Sequence, residues 1–315
     1  MSTGFLGATI PVLSGSASDS PNSNGVGGDI SPREVLVLSV TKEGVDPNED
    51  IVEQMIRRME LTSSYKPDIL CLPESFATSA QTAEAVPGPM IDRFSAYAAQ
   101  HNCYLICPLH RRKSSEIYNT AVMIDRKGTV VGMYDKIHPT EIERERGIMA
   151  GKESPAVFET DFGKVGILIC FDINWVDEWR KLKEGGAEIV FWTAAYPGGR
   201  MLSSLAWMFQ YYVVGCSRRA PALVYDMSGD LIATSGIYEP WTLARLNMEK
   251  ILCEVDYHVE KIKVIREKYG RKVHIKYYHD EDWVTVESRS PDLKIQKIVD
   301  EFGLVNHWDY IKRCS

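Results

Sequence analysis

The chain has 315 residues, 44% hydrophobic, 25% charged and 10% aromatic, the balance of a soluble globular protein, and its net charge of −7 argues against a dedicated binder of nucleic acid or anionic membrane. No apolar run approaches the roughly 18 residues that a membrane span needs. Seven cysteines, several of them inside apolar strand-like runs, point to buried or reactive thiols in a reducing cytosol rather than to a disulfide framework, so a cytoplasmic location is expected.

Residues 1–32 read as a tail. Ser, Gly, Asn, Asp and Pro dominate 14–32, a composition that buries too little surface to offset its ordering entropy. No Lys or Arg precedes Arg33, so the apolar patch at 5–13 lacks the charged start of a signal peptide. The glycine cluster at 25–28 lacks the spacing of a phosphate loop.

The apolar run 35–40 predicts a buried strand. Asp46-Pro47 with Glu49 reads as an N-cap, a first-turn proline and a capping box, and Val52, Met55, Ile56 and Met59 then recur at helical spacing. A strand follows at 68–72, ending at Pro73-Glu74, then a helix at 89–100 and a strand at 104–109. Hairpins are expected from 118–125 with 130–135 and from 156–159 with 165–170, each around a glycine-containing turn. A helix at 175–184 is stopped by Gly185-Gly186. After it come a strand at 188–193, a helix at 201–212, a strand at 213–217, a hairpin of 221–226 with 231–235, and a strand at 252–256. The mixture of crossovers and hairpins predicts an α/β layered domain with a mixed sheet or two sheets. Residues 257–315 differ: a charged amphipathic helix at 259–268 precedes a weakly periodic run rich in Lys, Asp, Tyr and Trp. That segment reads either as an arm packing on the domain or on a second subunit, or as a solvated extension.

Three segments each put a reactive side chain at the end of an apolar strand-like run: Glu74 after Cys-Leu-Pro, Lys136 after Met-Tyr-Asp, and Cys170 after Gly-Ile-Leu-Ile. Layered α/β proteins present their functional groups there. Taken singly, each has a bland reading as a core thiol or a solvated charge. Together, in the order Glu, Lys, Cys, they form coherent chemistry. A sulfur attacks carbon only as thiolate, a neighbouring carboxylate can take the thiol proton and later return it to a leaving amine, and an ammonium can stabilise the oxyanion together with a backbone N–H just after the cysteine.

These residues resemble the carbon–nitrogen hydrolase (nitrilase) superfamily. The matching stretches are Leu-Pro-Glu-Ser-Phe at 72–76, Tyr-Asn-Thr-Ala-Val at 118–122, Asp-Lys-Ile-His at 135–138, Gly-Lys-Val-Gly-Ile-Leu-Ile-Cys-Phe-Asp at 163–172, and Ser228-Gly229. By position the resemblance makes Glu74 the general base, Lys136 the oxyanion lysine and Cys170 the nucleophile. The family's second glutamate falls among Glu141, Glu143 and Glu145, and an ungapped match favours Glu143. The resemblance further implies a four-layer α-β-β-α sandwich, with 33–257 as the hydrolase domain and 258–315 as an extension. It implies a homodimer or higher homo-oligomer, and attack of Cys170 on a small-molecule amide or N-carbamoyl substrate. Water then hydrolyses the thioester, with no metal or organic cofactor and no nucleic-acid or membrane partner.

True nitrilases would carry Cys-Trp-Glu at the nucleophile. Cys170-Phe171-Asp172 looks instead like the amidase and carbamoylase branches. Val176-Asp177 and Gln210 depart from the family's usual Pro-Glu and Asn. Phe171, Trp175, Tyr196 and Arg200 are candidates to line the pocket, Arg200 by pairing a substrate carboxylate; core aromatics and a surface arginine are the alternative. Cys103 and Cys107 lack a metal-knuckle spacing, and His274 and His279 sit in a charged tail. The alternatives to an amidohydrolase are a nitrile hydrolase of the same superfamily and a catalytically silent interaction module.

Overall fold

The computed structural model describes residues 33–235 and 239–315, so the expectations for 1–32 lie outside the described residues. Its strands are β1 (Glu34–Val40), β2 (Ile69–Cys71), β3 (Tyr104–Lys113), β4 (Glu116–Ile124), β5 (Val130–Asp135), β6 (Ile148–Met149), β7 (Val157–Thr160), β8 (Gly163–Ile169), β9 (Ile189–Ala194), β10 (Tyr212–Ser217), β11 (Leu223–Tyr225), β12 (Leu231–Thr234), β13 (Trp241–Asn247), β14 (Lys250–Glu254), β15 (Val273–Tyr278) and β16 (Trp283–Ser288). The helices are α1 (Ile51–Glu60), α2 (Pro89–His101), α3 (Glu141–Glu145), α4 (Val176–Glu184), α5 (Arg200–Phe209), α6 (Val255–Tyr269), α7 (Ile295–Phe302) and α8 (His307–Cys314).

The strands form three sheets. The first has the order β13-β1-β2-β3-β4-β5, with β6 alongside β4; the second runs β12-β11-β10-β9-β8-β7. β1, β2 and β3 are mutually parallel, as are β8, β9 and β10, and antiparallel strands close the flanks.

The layering follows from side-chain alternation. Successive residues of a strand point to opposite faces. In the first sheet Val35, Val37, Ile69, Cys71, Ile106, Ala121 and Met123 face the second sheet's core. Their neighbours Leu38, Leu70, Leu72, Leu105, Cys107, Val122 and Ile124 pack with Met55 and Met59 of α1 and Met90, Phe94 and Ala98 of α2. Burial on both faces explains why these strands read as continuous apolar runs rather than alternating ones. On the far side of the second sheet, Trp179 and Leu182 of α4 and Leu202, Leu205 and Phe209 of α5 close the stack. The result is the expected α-β-β-α sandwich. Hydrogen bonds cross between the two sheets: Thr193 Oγ1 to the Leu72 carbonyl at 2.9 Å and Ser39 Oγ to the Gly215 carbonyl at 3.0 Å.

Two local expectations change. Asp50, not Asp46, caps α1, accepting from Glu53 N at 3.0 Å. Asp46 instead closes its own turn by accepting from Asn48 N, and the Gln54 side chain bonds its backbone, so the helix starts four residues later. The helix expected over 201–212 ends at Phe209, because Gln210 turns left-handed and Tyr212 already pairs with Ile189 in β10.

The C-terminal segment is a layer of its own rather than a solvated extension. β14, β16 and β15 form an antiparallel sheet, and Ile251, Cys253, Ile262, Ile265, Val284, Val286 and Ile298 make its core with α6 and α7. Trp207 of α5 stacks on Trp283 at 5.1 Å, and Tyr278 donates to Ser228 Oγ at 2.9 Å, which ties this layer to the second sheet.

Candidate active site

Residues that leave the carboxyl ends of β2, β5, β8, β9 and β10 meet around one cavity of about 650 Å³. Glu74, Lys136, Glu143 and Cys170 all line it. Parallel pairing of β1 with β2 and of β8 with β9 and β10 puts those ends on one side of the sandwich.

The Lys136 side chain is 1% exposed, so its ammonium needs protein partners. It has two: Glu74 Oε1 at 3.0 Å and Glu143 Oε2 at 2.8 Å. Asn119, on β4, donates from Nδ2 to Glu74 Oε1 and Glu143 Oε1, both at 2.8 Å, and its Oδ1 accepts from Ser75 Oγ at 3.2 Å. Burial alone would lower the lysine, but the Glu74 and Glu143 charges outweigh it and hold it above its ordinary value. Burial would raise the Glu143 carboxyl, and the Lys136 charge overrides that and holds it low.

Glu143 is held from its own side as well. Thr140 caps α3: its hydroxyl accepts from Glu143 N at 3.2 Å, while Glu143 Oε2 accepts from Thr140 N at 2.8 Å. Glu141 and Glu145 are exposed and do not reach Lys136.

Cys170 stands just past β8 with φ 48°, a conformation L side chains rarely adopt, as does Ser75 beside Glu74 with φ 40°. Such strain persists only where the surroundings impose it. Here Asp172 does so. Its carboxylate accepts from Ile169 N at 3.1 Å and Tyr134 Oη at 2.7 Å through Oδ2, and from His138 N at 3.0 Å through Oδ1. One buried side chain therefore bolts the cysteine turn to the segment that carries Lys136. The Cys170 carbonyl also accepts from Trp192 Nε1 at 2.9 Å. Burial, then the Glu74 charge, pushes the Cys170 thiol up to about 12, against the opposing pull of Lys136 and the Ala195 amide. The thiol thus rests protonated beside a carboxylate.

The four expected pocket residues do not line this cavity. Trp175 stacks on His138, centroids 3.7 Å apart, and Phe171 packs edge-on against Trp175 at 5.3 Å. Arg200 opens α5 as an exposed residue. Tyr196 comes nearest: it packs on Trp192 at 5.3 Å, and burial, then the nearby Glu74 charge, pushes its hydroxyl up. Asn119, His110, Arg146 and Arg218 line the cavity and were not singled out by the sequence. Asn119 lay inside the quoted Tyr-Asn-Thr stretch. Arg218 directly follows a strand, so the strand-end rule applied to Glu74, Lys136 and Cys170 would have found it.

Comparison with known proteins agrees with this architecture. The chain is 29% identical over 175 residues to the probable hydrolase YhcX of Bacillus subtilis, a match covering 51% of this chain and 34% of that protein, so the chain spans about a third of that relative's length. It is 28% identical over 223 residues to Omega-amidase NIT2 of Xenopus tropicalis, covering 64% of this chain and 80% of that protein. Nit3 of Saccharomyces cerevisiae, a member of branch 10 of the nitrilase superfamily, matches in structure with a TM-score of 0.61 at 20% identity, over 76% of this chain and 96% of that one, a likeness of fold. The carbon–nitrogen hydrolase family model matches residues 39–249, and with two thirds of its length so matched this chain belongs to the carbon–nitrogen hydrolase family.

Proposed function

We propose that this protein is a thiol amidohydrolase that cleaves a non-peptide C–N bond of a small linear amide or N-carbamoyl compound. The observation that carries the reading is the buried Lys136 side chain gripping Glu74 and Glu143 in the cavity that the Cys170 thiol enters from a strained turn. Glu74 takes the Sγ proton as sulfur bonds the carbonyl carbon, whose π electrons move to oxygen. Lys136 and a backbone N–H after Cys170 stabilise that oxyanion. The carbonyl re-forms as the C–N bond breaks, and Glu74 passes its proton to the leaving ammonia or amine. Water then attacks the thioester, Glu74 accepts its proton and returns it to sulfur, and the acid departs. Glu143 and Asn119 hold Lys136 and Glu74 in register.

Ammonia release from a panel of ω-amides, carbamoyl amino acids and nitriles tests the reading. Amide or carbamoyl turnover that vanishes in folded Cys170→Ala supports it, and turnover retained in that variant rejects it. Offering a nitrile with its matching amide separates the nitrile hydrolase alternative. A silent interaction module predicts no turnover at all, and iodoacetamide labelling of Cys170 no faster than that of Cys71 or Cys107.

A further inference from the structure

The carboxyl ends of β9 and β10 border the cavity of Cys170; their opposite ends open on a second one. This cavity, of about 500 Å³, lies where the second sheet meets the C-terminal layer, between Glu188 and Gln210, which precede β9 and β10, and the helices α7 and α8. Its volume is in the range of small-molecule sites, which are mostly apolar with a few convergent polar groups. Leu252, Val299, Leu304, Val305 and Trp308 supply the apolar wall. Lys183, in the last turn of α4, lines it and stands apart from the Glu74–Lys136–Cys170 cavity.

Lys183 meets this cavity without a counter-charge. Its Nζ donates to the Gln210 carbonyl at 2.9 Å, and the rings of Tyr211 and Trp308 each stand 5.9 Å from it. No carboxylate among the described residues pairs with it: Glu188 is bound to Arg33, and Asp309 to Asn306. Lys250, paired with Asp226, and the exposed Arg313 are the other charges on the wall. Burial pulls the Lys183 amine down to about 8, against the charges of Asp309 and Glu188 and with that of Lys312. A carbonyl partner takes one N–H and does not hold an amine in its charged form. Neutral Lys183 therefore keeps its bond to Gln210 and still has a lone pair to offer, and a desolvated lysine of this kind attacks carbonyl carbon.

We infer that Lys183 is a second reactive site, a nucleophilic amine that condenses with small apolar aldehydes held against Trp308. The nitrogen lone pair bonds the aldehyde carbon as the C=O π electrons move to oxygen, and a proton passes from nitrogen to that oxygen. The nitrogen lone pair of this carbinolamine then expels hydroxide, which takes a proton and leaves as water. The product is a protonated imine, whose single N–H can still donate to the Gln210 carbonyl. The step does not involve Cys170, so it stands or falls apart from the hydrolase reading.

The test treats the folded full-length chain with benzaldehyde and cyanoborohydride at pH 7.5. The reductant traps each imine as a secondary amine, and peptide mass spectrometry reads every lysine separately. At that pH the neutral fraction of Lys183 exceeds that of an ordinary lysine by roughly 200-fold, partly offset by its weaker basicity, so Lys183 should label about tenfold or more faster than exposed Lys127. That advantage should fade toward about pH 10, where ordinary lysines lose their protons. It should shrink when glyoxylate replaces benzaldehyde, and Trp308→Ala should slow Lys183 while leaving Lys127 unchanged. Lys183 labelling no faster than Lys127 with benzaldehyde at pH 7.5 overturns the reactive amine. An advantage as large with glyoxylate, or undiminished in Trp308→Ala, overturns the apolar aldehyde as its ligand.

Discussion

Two of the regions that bury thiols, the space between the large sheets and the floor of the cavity, differ in a way that locates reactivity. Cys71 and Cys216 lie between the sheets, fully buried, with Cys216 Sγ 3.0 Å from the Cys71 carbonyl and 3.3 Å from that of Val40. A backbone carbonyl accepts a hydrogen bond but is far too weak a base to take the thiol proton. Burial pushes the Cys71 thiol up, as it does Cys170. What separates Cys170 is its neighbours: a carboxylate to receive the proton, an ammonium to balance charge, and a backbone turn that aims sulfur into a cavity. Burial alone makes a thiol inert; burial with an acceptor and a cation makes it usable.

The sharpest break of this comparison is to exchange the thiols. Cys170→Ala should lower ammonia release by about 10⁴-fold or more. Cys71→Ala and Cys216→Ala should keep turnover and lose about 1–3 kcal/mol of stability to core cavities, read by chemical denaturation. Equal silencing by a folded Cys71→Ala would erase the distinction.

Next in size is the cation. Lys136→Met should cost about 10²–10³ in kcat and about 3–5 kcal/mol in stability, since Glu74 and Glu143 are left facing each other without a counter-charge. Adding Glu143→Gln should restore part of the stability and none of the rate; recovery of both would mean that Lys136 only holds the fold.

A smaller effect concerns Asp172, which ties the cysteine turn to the lysine segment. Burial lifts its carboxyl to about 7, against 3.8 for an exposed aspartate, although three donors favour its charged form. The folded state therefore binds more protons than the unfolded one between about pH 4 and 7, and stability from this group falls as pH rises through that window. Wild-type stability relative to Asp172→Asn should decline from pH 4 to 7; a difference that grows in favour of the wild type would show the donors outweighing desolvation.

The smallest effects belong to residues outside the cavity. Trp175→Leu and Arg200→Ala should leave kcat/KM within about threefold, the range of surface substitutions. A larger loss would extend the site beyond its present walls.

Much of this was legible in the chain. Apolar runs bounded by Gly, Pro and Asp marked the strands, because both faces of each large sheet are covered and every position in the run is buried. The order Glu74, Lys136, Cys170 was readable because each residue closes such a run. The place of the aromatic candidates was not legible, because residues adjacent in sequence to Cys170 turn away from it: the turn at φ 48° sends Phe171 and Trp175 to the side of His138. The C-terminal layer was illegible because its sheet borrows β14, and weak periodicity in each piece becomes a core only when three strands and two helices assemble.

The amino-acid sequence by itself determined the layered α/β class, the family and the order of the reactive groups, since these depend on local pattern and spacing along the chain. Tertiary structure alone decided which charges pair. Asn119 bridging two glutamates and Asp172 bolting the cysteine turn are relations between distant segments. Electrostatic energy depends on separation in space, and only the folded chain sets that separation.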